Sequence, residues 1–99
     1  MNTYNLVFER DSSKERVNII KHGIDFKTAS HIFLDQNRIE ILDQKHSDDE
    51  NRYITIGMVQ DTLCVLNVVY VDREDTIRII TARKATRKEI ELYNEHDLL

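Results

Sequence analysis

Two arginines in the last third of the chain are the side chains best suited to hold a phosphate group. Arg78 and Arg83 stand in the β-branched run Thr76–Arg83, and a guanidinium presents a planar fork of donors that matches phosphate oxygens and stays charged at any working pH. Because their positions differ by an odd number, a regular strand would point them to opposite faces, and they meet at one site only if the strand bulges or ends between them. Lys21 and Lys84 can add positive charge for substrate binding. The structural alternative for each arginine is an ordinary surface residue.

His22 is the side chain best suited to carry a proton, because an imidazole changes its protonation near neutral pH. It stands in Lys21-His22-Gly23, at the end of a predicted helix and outside any apolar stripe. The alternative role is structural, since cationic and hydrogen-bonding side chains stabilise helix C-termini. Lys21 has the same two interpretations.

Four further side chains complete the candidate site. Glu50 and Arg52 flank the start of a predicted strand and can act as general base and phosphate anchor, or can pair with each other or with neighbours. Tyr70 and Tyr93 can stack on a base or donate a proton, although an aromatic residue in a strand or an amphipathic helix more often belongs to the core. Both pairs therefore keep a structural alternative.

No metal site or other cofactor is expected. The four histidines are scattered, and the chain has no His-Glu-x-x-His motif and no cysteine pair. Cys64 is the only cysteine, and its apolar surroundings, Leu63-Cys64-Val65-Leu66, predict a buried thiol in a reducing compartment and disfavour a nucleophile.

The composition describes one globular domain with an uneven distribution of charge. Charged residues make up 32% of the 99 residues and the net charge is -4, which argues against a surface that binds nucleic acid everywhere. Basic residues concentrate between Arg73 and Lys88, where six stand against two acidic ones. No apolar run reaches the roughly 20 residues that cross a bilayer, and no signal peptide is recognisable at the N-terminus, so we expect a cytoplasmic protein with no membrane contact.

Three helices are predicted from apolar spacing and capping residues. The first begins after Asp11-Ser12-Ser13 and ends at Gly23, the second has about nine residues, and the third begins at Thr86, where Glu89 has the spacing of a capping box. The residues expected to face the core are Val17 and Ile20 on the first helix, Ile24 just after it, and Phe26, Ala29, Ile32 and Phe33 on the second.

Five strands are predicted around these helices. They are Asn5–Phe8, Arg38–Asp43, Arg52–Val59, Leu63–Val71 and Thr76–Arg83. Leu63–Val71 is apolar on both faces, as a central strand would be, and short polar turns join the last three strands into a meander, whereas the polar segment 44–51 predicts a loop. We therefore predict a small single α+β domain spanning residues 1–99, with the order β-α-α-β-β-β-β-α and helices packed on an antiparallel meander sheet.

Three segments in combination resemble the BrnT family, over a region from Phe8 through Tyr93. They are Lys21-His22-Gly23-Ile24-x-Phe26 with Ala29 and Phe33, Glu50-x-Arg52 with Ile56-Gly57, and Ile77-Arg78-Ile79-Ile80-Thr81-Ala82-Arg83-Lys84-Ala85-Thr86. The resemblance implies a toxin of a type II toxin–antitoxin pair, with a RelE-like fold, that cleaves RNA without a metal ion and so inhibits translation and growth. One position departs from the family pattern, since Arg10 stands where its members usually carry a tryptophan.

The resemblance also implies partners, and the residue types indicate which side chains would act on an RNA substrate. The partner would be a BrnA-like ribbon-helix-helix antitoxin, with operator DNA contacted only through the complex and two toxins for each antitoxin dimer. RNA would be the substrate, with His22 or Glu50 as the base that takes the 2′-hydroxyl proton and Arg78, Arg83, Lys21 and Arg52 supporting the charge on phosphorus. Lys84, Tyr70 and Tyr93 would contact the RNA.

Three hypotheses for the function remain open at this stage. The first is the ribonuclease toxin, the second is a non-catalytic binding module that acts only through its antitoxin partner, and the third is a purely structural domain. Replacing Arg83 by Ala separates them, because the change should abolish toxicity under the first hypothesis, weaken partner binding under the second and alter little under the third.

Overall fold

The computed structural model describes residues 6–46 and 50–97, which form a domain with a radius of gyration of 12.9 Å. Within these ranges the strands are β1 (Val7–Glu9), β2 (Ile39–Leu42), β3 (Arg52–Val59), β4 (Cys64–Arg73) and β5 (Thr76–Lys84), and the α-helices are α1 (Ser12–His22), α2 (Phe26–Ser30) and α3 (Arg87–Asp97). The predicted α+β class and order of elements are confirmed. The predicted first strand began at Asn5, which lies outside the described residues, as do residues 47–49 of the predicted loop.

The five strands form one sheet in the order β1-β5-β4-β3-β2. The strands β2 to β5 pair antiparallel, as the predicted meander requires, and β4 is the central strand. The first strand adds to the far edge of β5 and runs parallel to it, which makes the sheet mixed. Polar turns at strand ends define the meander, whereas no local turn connects β1 with β5, so their relative direction is set by tertiary packing.

The core lies mainly on one face of this sheet, which we call the α2 face. Alternate residues of β4, such as Leu66 and Val68, point to it and pack against buried side chains from the helical region. Those side chains include Phe26, Ala29, Ile32 and Phe33. The burial predicted for these four residues is therefore confirmed, although the last two belong to a 3-10 turn, His31–Leu34, that follows α2.

The opposite side of the sheet, the α3 face, carries a smaller apolar cluster. Ile56, Val65 and Tyr93 are its buried members, and Tyr93 comes from α3. The third helix begins with the predicted capping box, in which Thr86 N–H donates to Glu89 Oε1 at 2.8 Å and Glu89 N–H donates to Thr86 Oγ1 at 3.2 Å. These contacts fix the start of α3 at the end of β5.

The first helix packs differently from its prediction. Val17 is 50% exposed and Ile20 is 76% exposed, so their assignment to the core was wrong, whereas Ile24 is buried. The buried residue of α1 is Asn18, whose side-chain amide hydrogen-bonds both backbone groups of Ala82 at the edge of β5. An amide that satisfies an open strand edge lets the helix dock without an apolar stripe.

The predicted boundaries of α1 are confirmed by its capping residues. Asp11 accepts a hydrogen bond from the backbone N–H of Lys14 at 3.1 Å, and Gly23 closes the helix with a φ of 71°. Residues other than glycine rarely adopt that backbone conformation. None of the helices in the described ranges is long and apolar enough to span a membrane.

Candidate functional site

A bulge in β5 brings the two candidate phosphate clamps to the same face of the sheet. Thr81 pairs with Val69 and Ile79 pairs with Tyr70, which leaves Ile80 as the extra residue. Beyond the bulge, Arg83 pairs with a β4 residue, Asn67, that shares a face with the partner of Arg78, Val71. Both arginines therefore lie on the α3 face, as the sequence required for a shared site.

The spacing of these arginines follows from the strand geometry. Their β4 partners, Val71 and Asn67, are separated by four strand positions, which corresponds to about 13 Å at ~3.3 Å per residue. Two guanidiniums about this far apart on one face can contact different phosphate groups of one extended nucleic-acid strand. The site they define is open along the sheet.

A groove beside α1 borders the segment of β5 that joins Arg78 to Arg83. It has a volume of about 360 Å³, and Lys21, His22, Ile80 and Thr81 are among its lining residues. The helix cap is provided by the backbone N–H of Gly23, which donates to Ile19 O at 2.8 Å. His22 is exposed and makes no hydrogen bond to another described residue, so its imidazole is available to a ligand in this groove.

Arg78 forms an ion pair with Asp11, the residue that caps α1. The backbone N–H of Lys14 and then the guanidinium of Arg78 hold the pKa of Asp11 below its usual value. Both side chains are largely covered. The pair connects the N-terminus of α1 to the α3 face of β5.

Arg83 binds the carboxylate of Glu89 in α3 through the two terminal nitrogens of its guanidinium. Arg83 Nη1 donates to Glu89 Oε1 at 2.9 Å and Nη2 donates to Oε2 at 3.0 Å. Asn67 Nδ2, from the middle of β4, donates to the same Oε2 at 2.8 Å. The hydrogen bonds from Arg83 lower the pKa of Glu89 to about 2, so the carboxylate is charged throughout the physiological range.

Glu50 pairs with Arg73, whereas Arg52, one of the partners that the sequence allowed for it, is not among its contacts. Arg73 Nη2 donates to Glu50 Oε1 at 3.0 Å, its Nε reaches Oε2, and its Nη1 donates to Glu9 Oε2 at 2.8 Å. The hydrogen bonds from Arg73 to Glu50 hold the pKa of Glu50 below its usual value, which weakens it as a proton acceptor. Arg73 therefore joins β4 to β1 through Glu9 and to the segment before β3 through Glu50.

Arg52 lies in one cross-strand row with Arg78. Arg52 pairs with Val71 on β4, Val71 pairs with Arg78 on β5, and Arg78 pairs with Glu9 on β1. Residues paired across strands share a face, so Arg52 lies on the α3 face with Arg78 and Arg83. The structure thus brings three of the predicted arginines to one surface.

The chain matches the model of a known protein family over most of its length. The family described as "Ribonuclease toxin, BrnT, of type II toxin-antitoxin system" matches residues 11–89. The chain belongs to the BrnT family. No curated protein matches the chain. Membership makes it a ribonuclease toxin whose type II system supplies a protein antitoxin, with RNA as the substrate.

Two of the three predicted RNA-contacting residues of BrnT, Tyr70 and Lys84, lie on the opposite face of the sheet from the three arginines, and the third, Tyr93, is buried. Tyr70 lies on the α2 face, where its ring packs edge-on against Phe33 at 5.0 Å and stacks on Tyr53 at 5.4 Å. Burial raises the pKa of the Tyr70 hydroxyl. Lys84 pairs with Leu66 and so belongs to the same α2 face.

Tyr93 is also a buried residue of BrnT, in the small core of the α3 face. Its hydroxyl donates a hydrogen bond to Asp35 Oδ2 at 2.6 Å. For both tyrosines the geometry favours the core role that the sequence had offered as the alternative. Among the described residues, no group of three His, Cys, Asp or Glu side chains is arranged to hold a metal ion.

Sequence reasoning missed several residues that contact the site arginines. Asn67 interrupts the apolar run of β4, and a polar residue in an otherwise apolar central strand is a sign of a buried hydrogen bond. Glu89 was recognised only as half of a capping box, and Asp11 only as a helix cap. Their contacts with Arg83 and Arg78 join residues of different elements, which no local pattern reports.

Proposed function

We propose that this BrnT toxin cleaves RNA without a metal ion on the α3 face of its sheet, between Arg78 and Arg83. The observation that carries the proposal is the bulge at Ile80, which sets both guanidiniums on one face beside the groove that Lys21 and His22 line. Guanidinium groups can stabilise the charge that builds on phosphorus as an attacking oxygen adds. The positive charge that other nucleases obtain from a metal ion is supplied here by side chains.

The proton transfers fall to the groove residues. His22 takes the proton of the ribose 2′-hydroxyl, the 2′-oxygen attacks phosphorus, and the bond to the 5′-oxygen breaks as Lys21 gives that oxygen a proton. The products are a 2′,3′-cyclic phosphate and a free 5′-hydroxyl. Glu50 is less suited to the role of base because Arg73 occupies both of its oxygens and lowers its pKa.

The proposal includes the identity of the antitoxin. A BrnA-like ribbon-helix-helix protein would neutralise the toxin, and its dimer would carry two toxins and contact operator DNA. The acidic toxin, with a net charge of -4, suits a complex in which the partner binds the DNA. A symmetric dimeric partner offers two equivalent sites, which supports two toxins in each complex.

A non-catalytic binding module is the alternative function, and one observation favours it. Arg73, Arg78 and Arg83 each have a carboxylate partner, so a substrate phosphate meets arginines whose charge is already balanced. Under this alternative the toxin acts only through its antitoxin.

Induced expression of the wild type and of Arg83→Ala tests the proposal. We expect growth arrest and RNA decay from the wild type alone, and purified wild type should cut RNA in the presence of EDTA and leave 2′,3′-cyclic phosphate ends. Arg87→Ala is the matched control, because Arg87 is 94% exposed and belongs to the same basic segment. Intact RNA with the folded wild type would favour the binding module, and loss of cutting in EDTA would contradict the metal-free mechanism.

A further inference from the structure

The Glu89 carboxylate accepts four hydrogen bonds from three different parts of the fold. Two come from Arg83, one from the backbone N–H of Thr86 at 2.8 Å and one from Asn67 Nδ2 at 2.8 Å. A carboxylate has about four acceptor positions in total, so each is occupied. Glu89 is therefore held in one place by the sheet and by the start of α3, and it holds Arg83 in turn.

The contacts of Arg83 leave one particular pair of donors available. Glu89 takes the end-on fork of Nη1 and Nη2, and the carbonyl oxygen of Lys84 accepts a second hydrogen bond from Nη1 at 3.1 Å. The donors that have no partner among the described residues are Nε–H and the second hydrogen of Nη2. These two lie on the same side of the planar guanidinium and form a side-on fork that matches two phosphate oxygens.

We propose that Glu89 and Asn67 are positioning residues of the nuclease site, which hold the end-on fork of Arg83 so that its side-on fork faces the scissile phosphate. The inference rests on the proposed function, since it requires that Arg83 binds the reacting phosphate. A guanidinium whose orientation is fixed before RNA binds loses no rotational freedom in the transition state. The ion pair of Arg83 with Glu89 is then compatible with catalysis, because the Nε and Nη2 donors of the side-on fork remain available to the phosphate.

Kinetics of Glu89→Gln, with Thr86→Ala as the matched control, tests this role. Glutamine keeps the size of the side chain but presents an NH2 group to Arg83, so kcat should fall by about tenfold or more while KM changes by less than about threefold. Thr86→Ala removes the other half of the capping box and leaves the Arg83 contacts in place. It should lower the melting temperature and keep kcat within about twofold of the wild type.

A spectroscopic readout and a double variant make the result specific. Rotation of the Arg83 guanidinium, followed by nitrogen-15 NMR, should be slow in the wild type and fast in Glu89→Gln. Arg83→Ala with Glu89→Gln should be no slower than Arg83→Ala alone, because both changes remove the same contribution. A wild-type kcat in Glu89→Gln, or an equal loss of kcat in Thr86→Ala, would overturn the positioning role. The proposed function would still stand if Arg83→Ala abolishes RNA cleavage. A wild type that leaves RNA intact would instead overturn the proposed function.

An independent observation concerns the outer surface of α1. The exposed apolar side chains of Val17 and Ile20 lie on this helix, and Lys14, Arg16 and Lys21 are exposed around them. The acidic residue of the helix, Glu15, is turned inward and accepts a hydrogen bond from the backbone N–H of Phe26 at 2.9 Å. The outer surface of α1 is therefore both apolar and basic.

We infer that the antitoxin binds this surface of α1 through an acidic amphipathic segment. The type II family supplies a protein partner, and carboxylates beside apolar side chains are the chemistry that complements the α1 surface. A segment placed there would also cover the groove that Lys21 and His22 line. Neutralisation would then follow from blocked access of RNA to the groove.

The test uses Ile20→Glu, with Leu63→Glu as the matched control, and the antitoxin protein of this type II system. Leu63 is an equally unpacked apolar residue, 86% exposed, at the turn between β3 and β4. Calorimetric titration should show antitoxin affinity about tenfold or more weaker for Ile20→Glu and unchanged for Leu63→Glu. RNA cleavage by the two free variants should equal that of the wild type.

Three outcomes would overturn the docking surface. Wild-type affinity of Ile20→Glu for the antitoxin would place the interface elsewhere. Concentration-dependent dimerisation of the free toxin that disappears in Ile20→Glu, with antitoxin binding retained, would assign the α1 surface to a second copy of this chain. Equal weakening of Leu63→Glu would show that the effect of the added charge is general.

Discussion

Asn18 of α1 hydrogen-bonds both backbone groups of Ala82 in β5, a residue 64 positions away in the sequence. Asn18 Nδ2 donates to Ala82 O at 2.8 Å, and Asn18 Oδ1 accepts from Ala82 N–H at 2.9 Å. The same Nδ2 donates to Ile24 O at 2.9 Å. The Asn18 amide thus hydrogen-bonds the backbone of β5 in the part of its edge that β1 does not reach. It also fixes the helix that carries Lys21 and His22.

Replacement of Asn18 by Ala should destabilise the fold strongly. The change leaves the backbone N–H and C=O of Ala82 without these partners, and we expect the free energy of unfolding to fall by about 2 to 4 kcal/mol. Urea denaturation measures the change. Val17→Ala is the matched control on the same helix, with an expected change below about 0.5 kcal/mol because Val17 is half exposed. Equal losses in the two variants would contradict the edge-sealing role of Asn18.

Replacement of His22 by Gln should separate its catalytic role from helix capping. Loss of the proton acceptor should reduce RNA cleavage by about 100-fold and flatten its dependence on pH near neutrality. The melting temperature should stay within about 1 °C of the wild type, since Gly23 provides the backbone cap. A clear fall in melting temperature with cleavage retained would assign His22 to the structure of the helix end.

The Arg83–Glu89 pair should make stability depend on pH in the acid range. The folded pKa of Glu89 is depressed from 4.5 to about 2, so the folded state binds protons less readily than the unfolded chain. The contribution is complete above the unfolded value and is lost as pH falls through the folded value. Urea denaturation between pH 7 and pH 2 should therefore show the wild type losing its advantage over Glu89→Gln as pH drops below about 4.5. A difference that stays constant down to pH 2 would contradict the pKa shift.

The two glycines should respond to alanine for different reasons. A Cβ on Gly57 would lie 2.9 Å from Ile32 Cγ1 and 3.0 Å from Arg38 Cβ, so Gly57→Ala should cost about 1 to 3 kcal/mol through overpacking. Gly23 has open space around it but a φ of 71°, and Gly23→Ala should cost about 1 kcal/mol through backbone strain. Thermal unfolding of both variants measures the difference, and a larger loss for Gly23→Ala would contradict this ranking.

The amino-acid sequence by itself determined the elements and their order. Local patterns carry this information, because each depends only on residues a few positions apart in the sequence. Examples are the caps Asp11 and Gly23, the apolar spacing of α2 and the alternation of the meander strands. The same is true of the chemical suitability of Arg78, Arg83 and His22, which rests on side-chain type.

The tertiary structure alone decided which of these groups meet. The bulge at Ile80 arises in the pairing of β5 with β4, and it is this cross-strand register that turns Arg83 to the face of Arg78. Asn18 at the edge of β5 and Glu89 beside Arg83 join side chains from separate elements, and their contacts depend on how those elements pack. The exposure of Ile20 and the burial of Tyr70 were also decided by the tertiary structure. Burial is set by the neighbours that folding brings from distant parts of the chain.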